Sequence, residues 1–353
     1  MEKIIPTQKK EELEGKIAAF DFDGTLVVQD SDEIAFKNCK EKLQELYKEN
    51  WALVIFTNQG GVSKGKVEYE EVKQRIERFL TYINLPIYVF IATEYNKYRK
   101  PHPGMWYEML KELKIEKVEK SFFVGDAAGR LKSGKMKKDF SCSDCKFAYN
   151  LKIPFQTPEE FFNGKDERKW EWDGFDAERF TMEKGDFVLN RYDGKEIILL
   201  IGPQASGKTT LAKRFCEENK DYVYINQDTL KTKAKCLKAI RDAVKLGKNI
   251  IVDNTNSSEK NRKEILDEVG ENGGKEKGYW IRYVHFNVNK EFAQHLDEMR
   301  VELHNTTPIP SIAFNIYFKN LRESASLEKE CDELVHYYWR PHGVLSKEFF
   351  YKY

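Results

Sequence analysis

The sequence has 353 residues, enough for about two domains of ordinary size. Hydrophobic residues make up 41% and charged residues 33% of the chain, which is typical of a soluble globular protein, and no apolar run is long enough to cross a bilayer, which excludes a membrane-spanning protein. The formal net charge of +1 excludes a uniformly basic coat, so any binding of nucleic acid would rest on a few lysines and arginines.

The amino-terminal residues 1–16, MEKIIPTQKKEELEGK, are charged and lack the apolar stretch of a secretory signal. This predicts an intracellular protein without disulfides. Of the six cysteines, only those in CSDC at 142–145 have a spacing typical of metal ligands. Because no second pair or histidine partner accompanies them, a zinc or redox role is the less favoured interpretation.

Apolar runs alternate with amphipathic segments in the first half of the chain. The predicted strands are KIAAFDFDG (16–24), WALVIFTN (51–58), IYVFIAT (87–93) and SFFVGDA (121–127), and helices are predicted over 33–50 and 68–83. This βαβ order predicts a parallel sheet with helices on its faces.

Polar side chains follow these strands where each one ends. Asp21 and Asp23 follow the first strand, Thr57 and Asn58 end the second, and Asp126 follows the fourth. The carboxyl ends of parallel strands meet at one edge of a sheet, so we expect these residues to form one site. Asp21 and Asp23 point to the same side of the chain, where two carboxylates raise each other's pKa or share a cation. A carboxylate can also act as a nucleophile toward phosphorus.

The pattern breaks between 150 and 195, where aromatic residues, charges and turn formers predict a domain junction. A second βαβ series follows, with strands EIILLIG (196–202), YVYIN (222–226), NIIVDN (249–254) and YWIRYVHFN (279–287). The predicted fold class is therefore α/β, with two doubly wound parallel-sheet domains at 1–165 and 166–353.

The segment GPQASGKT at 202–209 fits the pattern G-x-x-x-x-G-K-[ST] between a predicted strand and a predicted helix. Backbone N–H groups of such a loop cradle phosphates, its lysine reaches the β- and γ-phosphates, and its threonine holds Mg²⁺. The predicted nucleotide-binding residues are Gly202, Ser206, Gly207, Lys208, Thr209 and Thr210.

Three further residues are candidates for the chemistry at the nucleotide. Asp228 follows a strand, where it could take the proton of an attacking hydroxyl, so a kinase is favoured over a plain ATPase, although an aspartate there could instead cap a helix. Asp253 ends the next strand as a metal or water ligand or as part of the acceptor site. Arg300, on a predicted helix, is either a lid residue that stabilises the phosphates or an ordinary exposed arginine.

The motif DFDGTL at 21–26 resembles the first motif of the haloacid dehalogenase superfamily of phosphatases. The resemblance implies that Asp21 is the nucleophile and Asp23 the general acid and base. It also implies that Mg²⁺ is held by Asp21, the backbone carbonyl of Asp23, and Asp126 in VGDAAGR.

Two later segments extend this resemblance. VIFTNQ supplies Thr57 and Asn58, similar to the motif that hydrogen-bonds the transferring phosphoryl group, and KYRKP supplies Lys100, similar to the cation that neutralises it. Electrostatics support the set, because a phosphoryl group that passes between oxygens needs its charge neutralised.

A phosphatase followed by a P-loop kinase resembles the bifunctional polynucleotide kinase 3′-phosphatases. RKPHPGMW, FFVGDAAGR, KKDFSCSDCKFAYN, PFQTPEEFF, GKTT, YINQDTLK and VDNTN are similar to that family's blocks in the same order. The resemblance implies removal of 3′-phosphates and ATP-dependent phosphorylation of 5′-hydroxyls at DNA ends, with Mg²⁺, and a functional Asp144 within CSDC. It also implies a nuclear monomer, with mitochondria or cytoplasm as further compartments, that works beside repair scaffold or ligase proteins. Because Asp21 lies close to the first residue of this sequence, we expect no forkhead-associated domain of the kind that many animal members carry.

Several alternatives stay open on the sequence alone. RNA ends or small phosphorylated metabolites could be the substrates, and a non-catalytic protein that binds DNA ends is a third interpretation. Aromatic residues could stack bases near the sites, although packing in a core or interface is the favoured interpretation for each. These candidates are Trp106, Tyr107, Tyr337, Tyr338 and Trp339 with Arg340.

Overall fold

The computed structural model describes residues 1–7, 15–134, 136–166, 168–181, 187–271, 278–323, 327–341 and 345–353. The chain divides into two compact units: the first comprises 1–178, 299–308 and 347–353, and the second comprises 179–298 and 309–346. Residue 167 and residues 182–186 of the predicted junction lie outside the described residues. None of the helices described is both long and apolar enough to span a membrane.

The chain changes unit at 178/179, whereas the sequence analysis places the domain boundary at 165/166. Residues 169–171 remain with the first unit because they form backbone hydrogen bonds with its loop 129–131, from the Leu131 N–H to the Lys169 carbonyl (2.7 Å) and from the Glu171 N–H to the Gly129 carbonyl (3.0 Å). The segment 347–353 also belongs to this unit, and the Lys352 N–H donates to the Asn150 side chain at 2.7 Å.

The first unit contains one six-stranded sheet in the order β1-β4-β3-β2-β5-β6. Its strands are β1 (Glu2–Ile4), β2 (Lys16–Phe20), β3 (Ala52–Asn58), β4 (Ile87–Ala92), β5 (Lys120–Val124) and β6 (Phe155–Gln156). Its helices are α1 (Cys39–Lys48), α2 (Tyr69–Ile83), α3 (Gly104–Leu113), α4 (Ser143–Leu151) and α5 (Pro158–Asn163). β2 to β6 are parallel, and β1 pairs with β4 in the antiparallel direction.

Both faces of this sheet are covered, which is why its central strands are apolar throughout. Ala18 and Phe20 of β2 belong to one buried cluster, and Ile17 and Ala19 belong to another on the opposite face. Successive strand residues point to opposite faces, so one strand contributes to two cores.

The second unit contains a five-stranded sheet in the order β11-β10-β7-β9-β8, and every pairing in it is parallel. Its strands are β7 (Glu196–Ile201), β8 (Tyr222–Ile225), β9 (Asn249–Asp253), β10 (Trp280–Phe286) and β11 (Glu333–Tyr337). Its helices are α6 (Lys208–Glu218), α7 (Gln227–Leu230), α8 (Lys233–Lys245), α9 (Glu259–Glu271) and α11 (Ser311–Glu323), while α10 (Lys290–His304) begins in this unit and ends in segment 299–308. The predicted α/β class is confirmed, with one fully parallel sheet and one sheet that is parallel except for its edge strand β1.

Candidate active sites

A cluster of three carboxylates, two of them buried and one partly buried, lies at the carboxyl ends of β2 and β5. Asp21 directly follows β2, and its N–H donates to the Val124 carbonyl of β5 at 2.8 Å. Asp126 follows β5, and Asp144 lies in the first turn of α4. Oxygen atoms of Asp21, Asp126 and Asp144 all lie within 4.8 Å of one another. The structure thus brings two predicted strand-end residues together with a third acid from a helix.

Lys100 is the buried cation of this cluster. Its Nζ lies 2.5 Å from Oδ1 of Asp21 and 2.7 Å from Oδ1 of Asp144. Burial by itself would lower the pKa of Lys100, but the negative charges of Asp144 and Asp21 raise it above the ordinary value. Lys100 is therefore held as an ammonium group beside the predicted nucleophile.

The cluster holds more negative charge than one ammonium group neutralises. Burial raises the pKa of Asp21 well above its ordinary value although Lys100 opposes the shift, and burial together with Asp144 raises the pKa of Asp126 to about 7. Three carboxylates whose oxygens lie within 4.8 Å of one another are the hard oxygen donors that a small divalent cation prefers. The donor set and its excess charge therefore fit a divalent cation.

Local backbone contacts hold the three acids in place. Gly24 has φ +75°, and a Cβ atom there would overlap the Asp126 carboxylate. Oδ2 of Asp144 accepts from the Ala127 N–H at 3.1 Å, and Nη2 of Arg130 donates to the Asp126 carbonyl at 2.7 Å. The turn after β2 therefore packs directly against the loop after β5, with no space for a side chain at Gly24.

The Asp23 carboxylate lies outside the cluster. Its Oδ2 accepts from Nε2 of Gln59 at 2.7 Å, and its Oδ1 accepts from Nη2 of Arg75. The same Gln59 nitrogen lies 2.9 Å from Oγ1 of Thr57. Asp144, and not Asp23, is therefore the third carboxylate of the cluster with Asp21 and Asp126. The predicted metal contact through the backbone carbonyl of Asp23 stays a prediction.

Asn58 contacts the main chain of Lys100. Its Nδ2 donates to the Lys100 carbonyl at 3.0 Å, and its Oδ1 accepts from the Lys100 N–H at 2.9 Å. Both ends of the amide thus hold the segment that carries the lysine. The predicted role of Asn58 as a phosphoryl ligand stays a prediction beside this positioning contact.

Asp126→Asn tests the excess charge of the cluster. In metal-free buffer we expect the variant to be more stable than the wild type by about 1 kcal/mol, or roughly 2 to 4 °C in Tm, because one buried negative charge is removed. Adding Mg²⁺ should raise the Tm of the wild type and leave that of the variant nearly unchanged. Thermal unfolding with and without Mg²⁺ measures both effects, with Asp32→Asn, a half-exposed aspartate paired with Arg78, as the control. If Mg²⁺ raised the Tm of Asp126→Asn as much as it raises that of the wild type, Asp126 would not be a metal ligand.

The predicted phosphate loop joins β7 to α6 in the second unit. Gly207 has φ +94° and precedes the first residue of the helix, Lys208. Nζ of Lys208 donates to the Pro203 carbonyl at 2.6 Å and lies 3.4 Å from Oγ of Ser206, which itself donates to Pro203 at 2.8 Å. The loop therefore curls around the lysine, and Thr209 and Thr210 follow in the first turn of α6.

Asp253, the last residue of β9, is the centre of a hydrogen-bonded group beside this loop. Its Oδ2 accepts from Oγ1 of Thr209 at 2.7 Å, from the Tyr224 hydroxyl at 2.7 Å and from Nδ2 of Asn226 at 3.1 Å. Only 2% of Asp253 is exposed. The threonine predicted to hold a metal ion thus contacts a buried carboxylate, and the two oxygens together fit a divalent cation.

Asp228 lies in the short helix α7, on the side of the sheet where β8 ends. Asn226 caps this helix, because its side chain accepts from the Thr229 N–H at 3.1 Å. The capping alternative for Asp228 is therefore wrong. Burial lowers the pKa of Lys208 to about 8, and the charges of Asp253 and Asp228 oppose that shift. Asp228 is exposed, and its predicted role as the base stays a prediction.

Arg300 lies in segment 299–308, which belongs to the first unit, whereas the phosphate loop belongs to the second. Nη2 of Arg300 donates to the Thr307 carbonyl at 3.2 Å. Its predicted lid role stays a prediction.

The CSDC segment supplies an acid and two inert thiols. Burial raises the pKa of Cys142 and raises that of Cys145 to about 11, so both thiols stay protonated near neutral pH. Within the described ranges, the one group of three metal-ligating side chains contains Asp144 and neither cysteine. The structure gives no support to the zinc alternative.

Two of the predicted base-stacking residues are buried. Trp106 is 4% exposed and packs near Phe56, and Tyr337 is 8% exposed and packs against Phe286. Tyr107 and Tyr338 are exposed. The core interpretation therefore holds for Trp106 and Tyr337.

Four further residues contact the predicted acids, and none of them was predicted from the sequence. They are Gln59, Arg75, Tyr224 and Asn226. Gln59 and Asn226 directly follow strands β3 and β8, a position from which a site residue can be predicted in a parallel sheet. Arg75 lies in the middle of α2, where the sequence gives no comparable indication.

Comparisons with known proteins cover both halves of the chain. The family model described as "Polynucleotide kinase 3 phosphatase" matches residues 16–162, and one described as "AAA domain" matches residues 197–239.

The bifunctional polynucleotide phosphatase/kinase of Schizosaccharomyces pombe is 34% identical over 317 residues, which are 86% of this chain and 74% of that protein. A homologue in Acanthamoeba polyphaga mimivirus is 33% identical over 344 residues, which are 86% of this chain and 80% of its own. The polynucleotide 3′-phosphatase ZDP of Arabidopsis thaliana is 38% identical over 172 residues, 42% of this chain and 24% of that protein. Because relatives at 33% and 34% identity span most of its length, this chain belongs to the family of bifunctional polynucleotide phosphatase/kinases.

Proposed function

We propose that this protein prepares broken DNA ends for ligation, by hydrolysing 3′-phosphates and by transferring the γ-phosphate of ATP to 5′-hydroxyls. One observation carries the proposal: a single chain contains a buried carboxylate and lysine cluster, Asp21 with Lys100, and also a phosphate loop whose Thr209 contacts Asp253. The first group suits phosphate removal and the second suits phosphate transfer from a nucleotide.

The phosphatase reaction follows from the surroundings of Asp21. Its carboxylate attacks phosphorus, and the bond to the 3′ oxygen breaks, so that the phosphoryl group is carried on Asp21 until water releases it. Lys100 places a positive charge beside the nucleophile, where charge develops on the phosphoryl oxygens. Asp21, Asp126 and Asp144 would hold Mg²⁺, which supplies further neutralisation of that charge when bound.

The kinase reaction follows from the loop at 202–209. Backbone N–H groups at the start of α6 and the ammonium group of Lys208 bind the phosphates of ATP. Thr209 and Asp253 would hold the accompanying Mg²⁺. Asp228 accepts the proton of the 5′-hydroxyl, whose oxygen bonds to the γ-phosphorus as the bond from that phosphorus to the β–γ bridging oxygen breaks and ADP leaves.

The choice of DNA as substrate, and with it a place in nuclear repair, rests on the family resemblance. The names of the relatives specify polynucleotides and 3′-phosphatase activity, and they do not exclude RNA. Because the net charge of the chain is only +1, we expect binding to depend on a few cationic side chains and to weaken with salt.

A duplex with a one-nucleotide gap, bearing a 3′-phosphate and a 5′-hydroxyl, tests the proposal. With Mg²⁺ but without ATP, the protein should convert the 3′-phosphate to a hydroxyl and leave the 5′ end unchanged. With both Mg²⁺ and ATP it should process both ends, so that filling the gap allows ligation. A matched RNA set is the comparison. Faster turnover of the RNA ends would make RNA the substrate, and no turnover of either end would favour the non-catalytic interpretation.

A further inference from the structure

Arg75 of α2 contacts the carboxylate of Asp23, the predicted general acid and base of the phosphatase site. Nη2 of Arg75 donates to Oδ1 of Asp23, and Nε2 of Gln59 donates to Oδ2 from the other side at 2.7 Å. Each oxygen of Asp23 thus has its own donor. Two donors on two oxygens fix the plane of a carboxylate, which one donor would leave free to rotate.

Arg75 reaches Asp23 because α2 packs on the residue between the two aspartates. Phe22 points away from Asp21 and Asp23, and its ring meets Phe79 edge to face, with centroids 5.5 Å apart. The guanidinium carbon of Arg75, one helical turn before Phe79, lies 5.4 Å from the centroid of the same ring. The helix therefore holds Phe22 in the core and presents Arg75 at its side.

The guanidinium of Arg75 and the carboxylate of Asp23 are both largely shielded from solvent. Only 20% of the Arg75 side chain and 13% of the Asp23 side chain are exposed. Nε of Arg75 is buried and has no hydrogen-bond partner within the described ranges. An arginine is seldom buried unless its charge is paired with an acid. The ion pair with Asp23 therefore accounts for the position of the Arg75 guanidinium.

Arg78, three residues further along α2, makes a different kind of pair. It contacts Asp32, and more than half of the Arg78 side chain and half of the Asp32 side chain are exposed. Such a pair contributes little. Helix α2 thus offers two arginine and aspartate pairs, one half-buried at the reacting end of the sheet and one on the surface.

We propose that Arg75 is a positioning residue of the phosphatase, which orients the Asp23 carboxyl group for both of its proton transfers. In the first step Asp21 bonds to phosphorus, the bond from phosphorus to the 3′ oxygen breaks, and the Asp23 proton goes to that oxygen. In the second step Asp23 takes a proton from water, whose oxygen bonds to phosphorus as the bond to Asp21 breaks, so phosphate leaves and Asp23 is protonated again. This role rests on the proposed phosphatase function and adds a residue to it.

The test separates proton transfer from all other steps by the choice of leaving group. A 3′-phosphorylated oligonucleotide releases an alkoxide-like oxygen that needs the proton, whereas 4-nitrophenyl phosphate releases a stable phenolate that does not. First-turnover rates are measured by rapid quench for the oligonucleotide and from the burst of 4-nitrophenolate, so that only phosphoryl transfer to Asp21 is compared. The variants are Arg75→Gln and Arg75→Lys, with Arg78→Gln as the matched control, and thermal unfolding checks that each is folded.

In Arg75→Gln the first-turnover rate on the oligonucleotide should fall about 10- to 100-fold, with KM changed less than about threefold, because general acid catalysis contributes about 10²- to 10⁴-fold in all. The burst on 4-nitrophenyl phosphate should change less than about threefold. Arg75→Lys should recover part of the loss, and Arg78→Gln should match the wild type. Equal losses on both substrates, a change in KM alone, or no change would each overturn the inference. A wild type inactive on the oligonucleotide would instead overturn the proposed function, and the inference with it.

Discussion

Asp21→Asn should abolish 3′-phosphatase activity and leave 5′-kinase activity unchanged. Asparagine has the shape of aspartate without a nucleophilic oxygen anion, so we expect the phosphatase rate to fall by at least about 10³-fold. The fold should persist, because Lys100 keeps its second partner, Asp144, at 2.7 Å, and because the substitution removes charge from a cluster in which burial already raises the pKa of Asp21. Release of phosphate from a 3′-phosphorylated oligonucleotide and labelling of a 5′-hydroxyl by ATP measure the two activities.

Asp32→Asn is the control for this change, since it replaces a half-exposed aspartate in the same unit. It should leave both activities at the wild-type level. If folded Asp21→Asn protein lost kinase activity as well, the two sites would be coupled rather than independent. Phosphatase activity within tenfold of the wild type would exclude Asp21 as the nucleophile.

Lys208→Ala should have the reverse effect. The ammonium group of Lys208 is buried inside the loop, where its Nζ donates to the Pro203 carbonyl at 2.6 Å. The negative charge of bound phosphates would be neutralised by this group, in an environment where burial makes electrostatic contacts strong. We expect the kinase rate to fall by about 10³-fold, the rise in Tm caused by ATP to disappear, and phosphatase activity to stay within about twofold of the wild type.

Lys213→Ala provides the matched control, because Lys213 is exposed on the same helix, α6. Kinase activity and the ATP-dependent rise in Tm should both survive in it. A Lys208→Ala protein that still phosphorylated 5′-hydroxyls at the wild-type rate would show that another cation binds the phosphates, and the loop would then lose its assigned role.

The long buried strands could be predicted from the sequence, and the very short strands β1 and β6 could not. β2, β3, β4 and β7 are apolar runs flanked by turn residues, so local composition identifies them. β1 has three residues and β6 has two, too few for a pattern. These strands form because a neighbouring strand offers free hydrogen-bonding groups, which only the assembled sheet provides.

The sequence by itself determined the residues that stand at the ends of strands. Asp21, Asp126 and the loop around Lys208 follow apolar runs directly, and parallel strands carry their ends to one edge of the sheet. This convergence needs no knowledge of how the helices pack, and it could be predicted together with the class of chemistry.

Only the tertiary structure decided which helical residues complete the sites. Asp144 joins the acid cluster through the first turn of α4, and Arg75 reaches Asp23 from the middle of α2. The helical period places each side chain on a face, but the rotation and height of a helix over its sheet are set by the packing of contacts such as Phe22 on Phe79. Two aspartates that share one side of the chain thus acquire different partners, Lys100 for Asp21 and Arg75 for Asp23, because each faces a different neighbouring element.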